Sequence, residues 1–131
     1  MSRFEVERRR KPIARKSIPL RLRQKMYFIF CETTQSIKCG IATSTYKRLF
    51  CLQTGSPTIL RLVAEIEGDR ERERAVHRRL THFRRHGEWF RYTNDVREII
   101  IEELTSHLRD KAQFDARERF RKSLPQVRSP P

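Results

Sequence analysis

The 131-residue chain has no run of about 18 apolar residues, the length a helix needs to cross a bilayer, and its N-terminus lacks the apolar stretch of a secretory signal. An intracellular protein of cytoplasm or nucleoid, with no membrane partner, is the expectation. Cysteine is also scarce. Cys31, Cys39 and Cys51 are odd in number and sit at intervals that match neither a zinc knuckle nor a disulfide framework. They read as small buried hydrophobes, and no zinc is expected, a site shared with His77, His82 or His86 being the minor alternative. Acids are few: 16 Asp and Glu face 30 Lys and Arg, a formal net charge of +14. Such a chain draws polyanions at long range and releases counterions on docking, so nucleic acid is the expected partner. Of the cations 23 are Arg. The guanidinium fork suits phosphate and guanine edges, although GC-rich codon usage accounts for the excess equally well.

A length of this order makes one domain, and the charge divides it. Residues 1–24 carry nine cations against Glu5 and Glu7 with little apolar content, which predicts a basic arm disordered until it meets a partner. Its Arg8, Arg9, Arg10, Lys11, Arg15 and Lys16 are candidate nucleic-acid contacts, with Lys47 further on. Residues 109–131 hold seven cations and three acids and end in VRSPP, the pattern of a short helix with a frayed tail. The structural signal lies in 25–108.

MYFIF at 26–30 has no polar break, as in a strand covered on both faces. ETTQS turns the chain, and IKCGIA at 37–42 returns as the partner of a hairpin. Ser44 can cap a helix with Tyr46, Leu49, Phe50 and Leu52 along one side, stopped by Gly55 and Pro57. A third strand fits ILRLVAEI at 59–66. Asp69 opens a charged helix to about Arg84, closed by Gly87, whose spacing puts Glu73 and His77 on the inward stripe with Val76, Leu80 and Phe83. A carboxylate there must be paired, protonated or bound to a metal. GEWFRY is a short extended segment, and Asn94 caps a last amphipathic helix to Leu108.

A strand bearing YFI, a second containing KCG, an arginine in the next helix and a glutamate in the helix after strand three come in a characteristic order. With IKCGIATSTYKRLFCLQTGSP, ERAVHRRL and GEWF, residues 25–105 resemble the GIY-YIG endonuclease superfamily, in its phage-associated DNA-binding, meiotically up-regulated-gene-like branch. The elements and this resemblance together imply an α+β domain with a three-stranded, mostly antiparallel sheet flanked by helices. The resemblance implies Tyr27, Lys38, Arg48 and Glu73 as catalytic residues, with Gly40 closing the second signature strand; His77, one helical turn after Glu73, is placed to orient the glutamate or a bound water. The resemblance also implies one divalent ion, Mg²⁺ or Mn²⁺, on Glu73, and duplex DNA as substrate. Lys38 stands where the second signature tyrosine is usual, and the late asparagine has no clear match, so Glu88 and Trp89 carry no assigned role.

Phosphodiester hydrolysis needs an activated water, a counter-charge for the pentavalent phosphate and help for the leaving oxygen. Glu73 would hold a largely hydrated hard cation and Arg48 would clamp the phosphate. Tyr27 is a weak base unless a neighbouring cation, here Lys38, favours the phenolate. Tyr27 and Lys38 share a face only if 27 lies opposite 40 and 29 opposite 38, with a loop over 32–35. Each residue also has a plain structural reading: Tyr27 as core aromatic, Lys38 and Arg48 as surface cations, Glu73 in an ion pair with an arginine, His77 as a satisfied core histidine. The expectation is a metal-dependent DNA endonuclease or nickase. The alternatives are a DNA-binding module without turnover and, on charge alone, a basic RNA-binding protein. The size leaves room for a homodimer or a larger complex.

Overall fold

The computed structural model describes residues 18–19 and 23–128. The basic arm's Arg8, Arg9, Arg10, Lys11, Arg15 and Lys16 lie outside the described residues. The elements are β1 Lys25–Cys31, β2 Ser36–Ala42, α1 Thr45–Thr54, β3 Leu60–Glu67, α2 Arg70–Leu80, a single 3-10 turn Thr81–Phe83, β4 Arg84–His86, β5 Trp89–Arg91, α3 Asn94–Thr105 and α4 Asp110–Ser123.

Among the described residues the strands form one five-stranded antiparallel sheet in the order β3-β1-β2-β5-β4, with four helices. The class is α+β, but the three-stranded sheet expected from sequence is corrected by two strands. Helix α2 stops at Leu80, and the chain passes through the 3-10 turn into a hairpin. Gly87, at φ +56°, opens the two-residue loop between β4 and β5 and is not the helix terminator expected of it. A left-handed residue there matches the twist of the flanking strands. Strand β4 reads RRH and is exposed throughout, so it carried no apolar alternation to betray it.

The uninterrupted apolar run of β1 follows from its central place between β2 and β3. Met26, Phe28 and Phe30 enter the larger core with Ile37, Cys39, Val76, Leu80, Phe90, Val96, Ile100 and Leu104. Tyr27, Ile29 and Cys31 face the other way, towards Leu60, Leu49 and Leu52. The hairpin register is the expected one: Tyr27 faces Gly40 and Ile29 faces Lys38, with the loop over 32–35.

Helices α2, α3 and α4 serve the larger core, and among the described residues only α1 covers the opposite face. Caps match the chain's polar residues. Ser44 accepts from the Lys47 amide and Asp69 from the Arg72 amide at 3.0 Å, while Thr93, one residue before the expected Asn94, accepts from Val96. Two expectations differ. Tyr46 and Phe50 are each 74% exposed, leaving Leu49 and Leu52 to seat α1. The helix expected after 109 is present as α4, but the residues that follow it are held and not frayed: Leu124 is buried, like Ala116 within the helix, and the Tyr92 hydroxyl donates to the Pro125 carbonyl at 2.6 Å.

Candidate active site

On β2, strand β5 pairs with Ser36, Ile37 and Lys38 alone, so among the described residues the remaining half of β2 has no strand on that side. A cleft of about 650 Å³ opens there, lined by Tyr27, Ile41, Arg48, Arg70, Glu73, Arg74 and Glu88. Three of the four residues expected to carry chemistry, Tyr27, Arg48 and Glu73, thus border one space.

Tyr27 is 1% exposed and reaches the cleft by lying across Gly40. A Cβ at residue 40 would overlap the Tyr27 hydroxyl, so glycine is required for the ring's path, not for a turn. Arg48 Nε donates to Tyr27 Oη at 3.4 Å. Burial raises the phenol's pKa, while the hydrogen bond and charge of Arg48 pull it back. At neutral pH the hydroxyl keeps its proton. It accepts from Arg48 and can donate that proton into the cleft.

Lys38 does not line the cleft itself but bonds a residue that does. Its side chain is 8% exposed, and Nζ donates to Glu88 Oε2 at 2.8 Å while standing 5.8 Å above the Trp89 ring centroid. The cation against Tyr27 is Arg48, and the ammonium compensates a carboxylate carried on the Gly87–Glu88 loop.

Glu73 sits in the first turn of α2, half-buried, with no ion pair among the described residues. Burial raises its pKa first, the Glu88 carboxylate adds to this, and His77 and Arg70 oppose it. The structural ion pair weighed from sequence is therefore not what holds this side chain. His77, one turn on, bonds through Nε2 to the Cys39 carbonyl at 2.8 Å. A carbonyl only accepts, so Nε2 carries the proton, and the ring pins α2 to the unpaired half of β2. His77 thereby positions the helix that presents Glu73. Cys39 itself is buried, and burial pushes its thiol pKa up, away from thiolate chemistry.

Sequence reasoning missed Arg70, Arg74 and Glu88 as cleft residues. The first two had a signal: 70, 74 and 78 repeat at four-residue intervals on α2, about 6 Å apart along the axis. All three are exposed and without ion pairs among the described residues. On the same helix, Arg79 pairs with Glu102 and with Glu103 at 2.7 Å, and Arg72 bonds the Glu103 carbonyl. Helix α2 therefore spends one set of arginines on α3 and leaves another for an anion. Lys47 is likewise exposed on α1, beside Arg48.

Among the described residues no group of three or more His, Cys, Asp and Glu could enclose a metal ion. What the cleft offers is a half-buried carboxylate without an ion pair, Glu73, and a second carboxylate, Glu88, that is paired with Lys38 and whose charge still raises the pKa of Glu73, a repulsion that a hard cation would relieve. That donor set fits one ion held largely by water and substrate oxygens, as Mg²⁺ is commonly held.

The T5orf172 domain matches residues 24–105, well over half the chain. The chain belongs to the T5orf172 domain family. This corrects the resemblance drawn from sequence, because T5orf172 is a different family from GIY-YIG, although both are nuclease-associated. T5orf172 domains are phage- and nuclease-associated and DNA-related. No curated protein and no solved structure matches the chain. Roles for residues of this T5orf172 domain accordingly rest on the cleft's own geometry. No helix among the described residues is long and apolar enough to cross a membrane.

Proposed function

We propose that this T5orf172-domain protein binds DNA and hydrolyses its phosphodiester bonds as an endonuclease or nickase. The observation that carries the reading is the convergence of the Tyr27 hydroxyl, the Arg48 guanidinium and the unpaired Glu73 carboxylate on one cleft bordered by Arg70 and Arg74.

Arg48 spends Nε on Tyr27, which leaves its two terminal nitrogens to grip non-bridging phosphate oxygens in a bidentate contact. Arg70, Arg74 and Arg78 continue that positive charge along α2 and steer the backbone into the cleft. Glu73, with Glu88 as the nearest further carboxylate, would hold a divalent ion, Mg²⁺ or Mn²⁺, which when bound supplies counter-charge to the phosphate. Tyr27 in its deprotonated fraction takes the proton of the attacking water as the new P–O bond forms and the old one breaks, the leaving oxygen being protonated from solvent. Arg48 stabilises that phenolate. Because burial raises the pKa of Tyr27, the rate should climb with pH through the alkaline range. Because Glu73 also titrates high for a carboxylate, activity should fall on acidification before ordinary surface carboxylates protonate.

A second reading, a DNA-binding module without turnover, draws on a specific observation: the raised phenol pKa with Lys38 committed to Glu88 leaves Tyr27 a single activating cation. Incubation of supercoiled plasmid with Mg²⁺, Mn²⁺ or EDTA separates the two. Metal-dependent conversion to nicked or linear DNA is expected. Retarded but uncut plasmid under all three conditions would leave the binding module.

A further inference from the structure

A second cavity, of about 590 Å³, opens on the α1 side of the sheet, with Leu52, Ser56, Thr58, Arg85, His86 and Trp89 in its wall. No residue lines both cavities, but two elements connect them. On one side Arg48 and Leu52 stand four residues apart on α1, about 6 Å along the helix. On the other, Glu88 lines the first cleft and the next residue, Trp89, lines the second.

The chemistry of the two cavities differs. The first has two carboxylates and three arginines; the second has no carboxylate, one aromatic platform, one arginine, one histidine and several hydroxyls. Gln53, next to the lining residue Leu52, ties down the 56–60 segment that borders the second cavity. Gln53 Nε2 donates to the Thr58 carbonyl at 2.8 Å and Gln53 Oε1 accepts from the Leu60 amide at 2.7 Å, while Ser56 Oγ and Thr58 Oγ1 lie 3.1 Å apart. Arg85 and His86 are exposed and make no ion pair among the described residues. With no carboxylate the lining does not suit a metal ion, while the half-buried Trp89 ring and the hydroxyls suit a heteroaromatic ring with polar edges, and Arg85 with His86 can meet the phosphate attached to it.

We propose that this cavity receives an unpaired nucleobase of the strand whose phosphate sits at Arg48, the base stacking on Trp89 and presenting its edge to the hydroxyls. The inference rests on the DNA-binding reading above and adds that the protein favours DNA in which a base beside the gripped phosphate is unpaired or easily extruded. Extrusion is cheapest at mismatches, flaps and single strands, so these would bind better than continuous duplex.

Trp89 is the chain's one tryptophan, so its emission reports the cavity directly. The full chain is titrated with a 15-nucleotide oligothymidylate and with an abasic strand of equal length, which has the same phosphates and no bases. The thymidylate should quench Trp89 and bind about tenfold tighter, the scale of stacking one base on an aromatic side chain. The abasic strand should bind without quenching. Gly55 borders the cavity, and a Cβ there meets nothing within 4 Å, so Gly55→Leu adds bulk at the cavity without disturbing the core. It should abolish quenching and bring both strands to the abasic affinity; Trp89→Leu should likewise remove the preference and Trp89→Phe should keep it. Equal affinities of the parent for the two strands, or a thymidylate preference that survives both Gly55→Leu and Trp89→Leu, would overturn the base pocket. Plasmid cleavage is scored separately. Cleavage without base-dependent quenching would sink the pocket and keep the nuclease, and quenching without cleavage the reverse.

Discussion

The two faces of the sheet are built to different ends. On one, α2, α3 and α4 close over Phe28, Phe30, Ile37, Phe90, Val96 and Ile100, all at most 1% exposed. On the other, α1 is the one covering helix among the described residues: it seats Leu49 and Leu52 and leaves Tyr46 and Phe50 exposed, with a cleft on either side of its contact. The sealed face supplies stability; the other, thinly covered face, together with the first turns of α2 that bring Arg70, Glu73 and Arg74 past the unpaired half of β2, keeps polar groups within reach of a ligand. Strand β1 belongs to both, because alternate residues serve each side.

The strongest way to break that division is to truncate the sealed face. Phe90→Ala removes a fully buried ring and should cost about 3–5 kcal/mol in denaturant unfolding, while the folded fraction keeps its DNA affinity. Undiminished stability would show that the core lies elsewhere. Next in size is the opposite experiment. Tyr27→Phe deletes only a hydroxyl from the thinly covered face and should slow plasmid cleavage about a hundredfold or more, with an unchanged melting temperature and no alkaline rise. Full activity of this variant would remove Tyr27 from the chemistry.

A smaller effect tests the arginine row. Arg70→Gln with Arg74→Gln should flatten the dependence of log K on log salt by about 0.9 per lost phosphate contact on duplex DNA. Arg79→Gln, whose side chain is held by Glu102 and Glu103, should leave the slope alone and lower stability instead. Equal slopes for all three substitutions would mean that the two sides of α2 do not differ in their partners.

The smallest effect is also the most diagnostic. Glu73 binds its proton more tightly folded than unfolded, so its charged form opposes folding as pH rises through the window between the two pKa values. Glu73→Gln should therefore raise the melting temperature at neutral pH by about a degree or two. The gain should vanish below about pH 4, where the carboxyl is protonated in either state. A lower melting temperature in Glu73→Gln would restore the ion-pair account.

The sequence was informative where a local pattern was strong: apolar periodicity carried the inward phase of Glu73 and His77, polar residue types carried the caps at Ser44 and Asp69, and the requirement that Tyr27 and Lys38 share a face carried the β1–β2 register. It failed where apolar content and burial part company. Strand β4 is three polar residues at a sheet edge, and Tyr46 and Phe50 are apolar side chains with no protein to cover them. The Lys38–Glu88 pair joins residues 50 positions apart through the β4–β5 hairpin, so no local pattern could announce it. Family assignment failed for a related reason. Short motifs in a familiar order suggested one nuclease-associated family where the match is to another.

Strand β4 has a consequence for how copies of the protein behave together. An edge strand exposes unpaired amides and carbonyls to which another chain can add, and this one displays Arg84, Arg85 and His86, all exposed. Two such edges brought side by side would crowd four guanidinium groups along a few residues. The free protein thus carries its own deterrent to edge-to-edge aggregation, and that deterrent weakens as salt screens the charge.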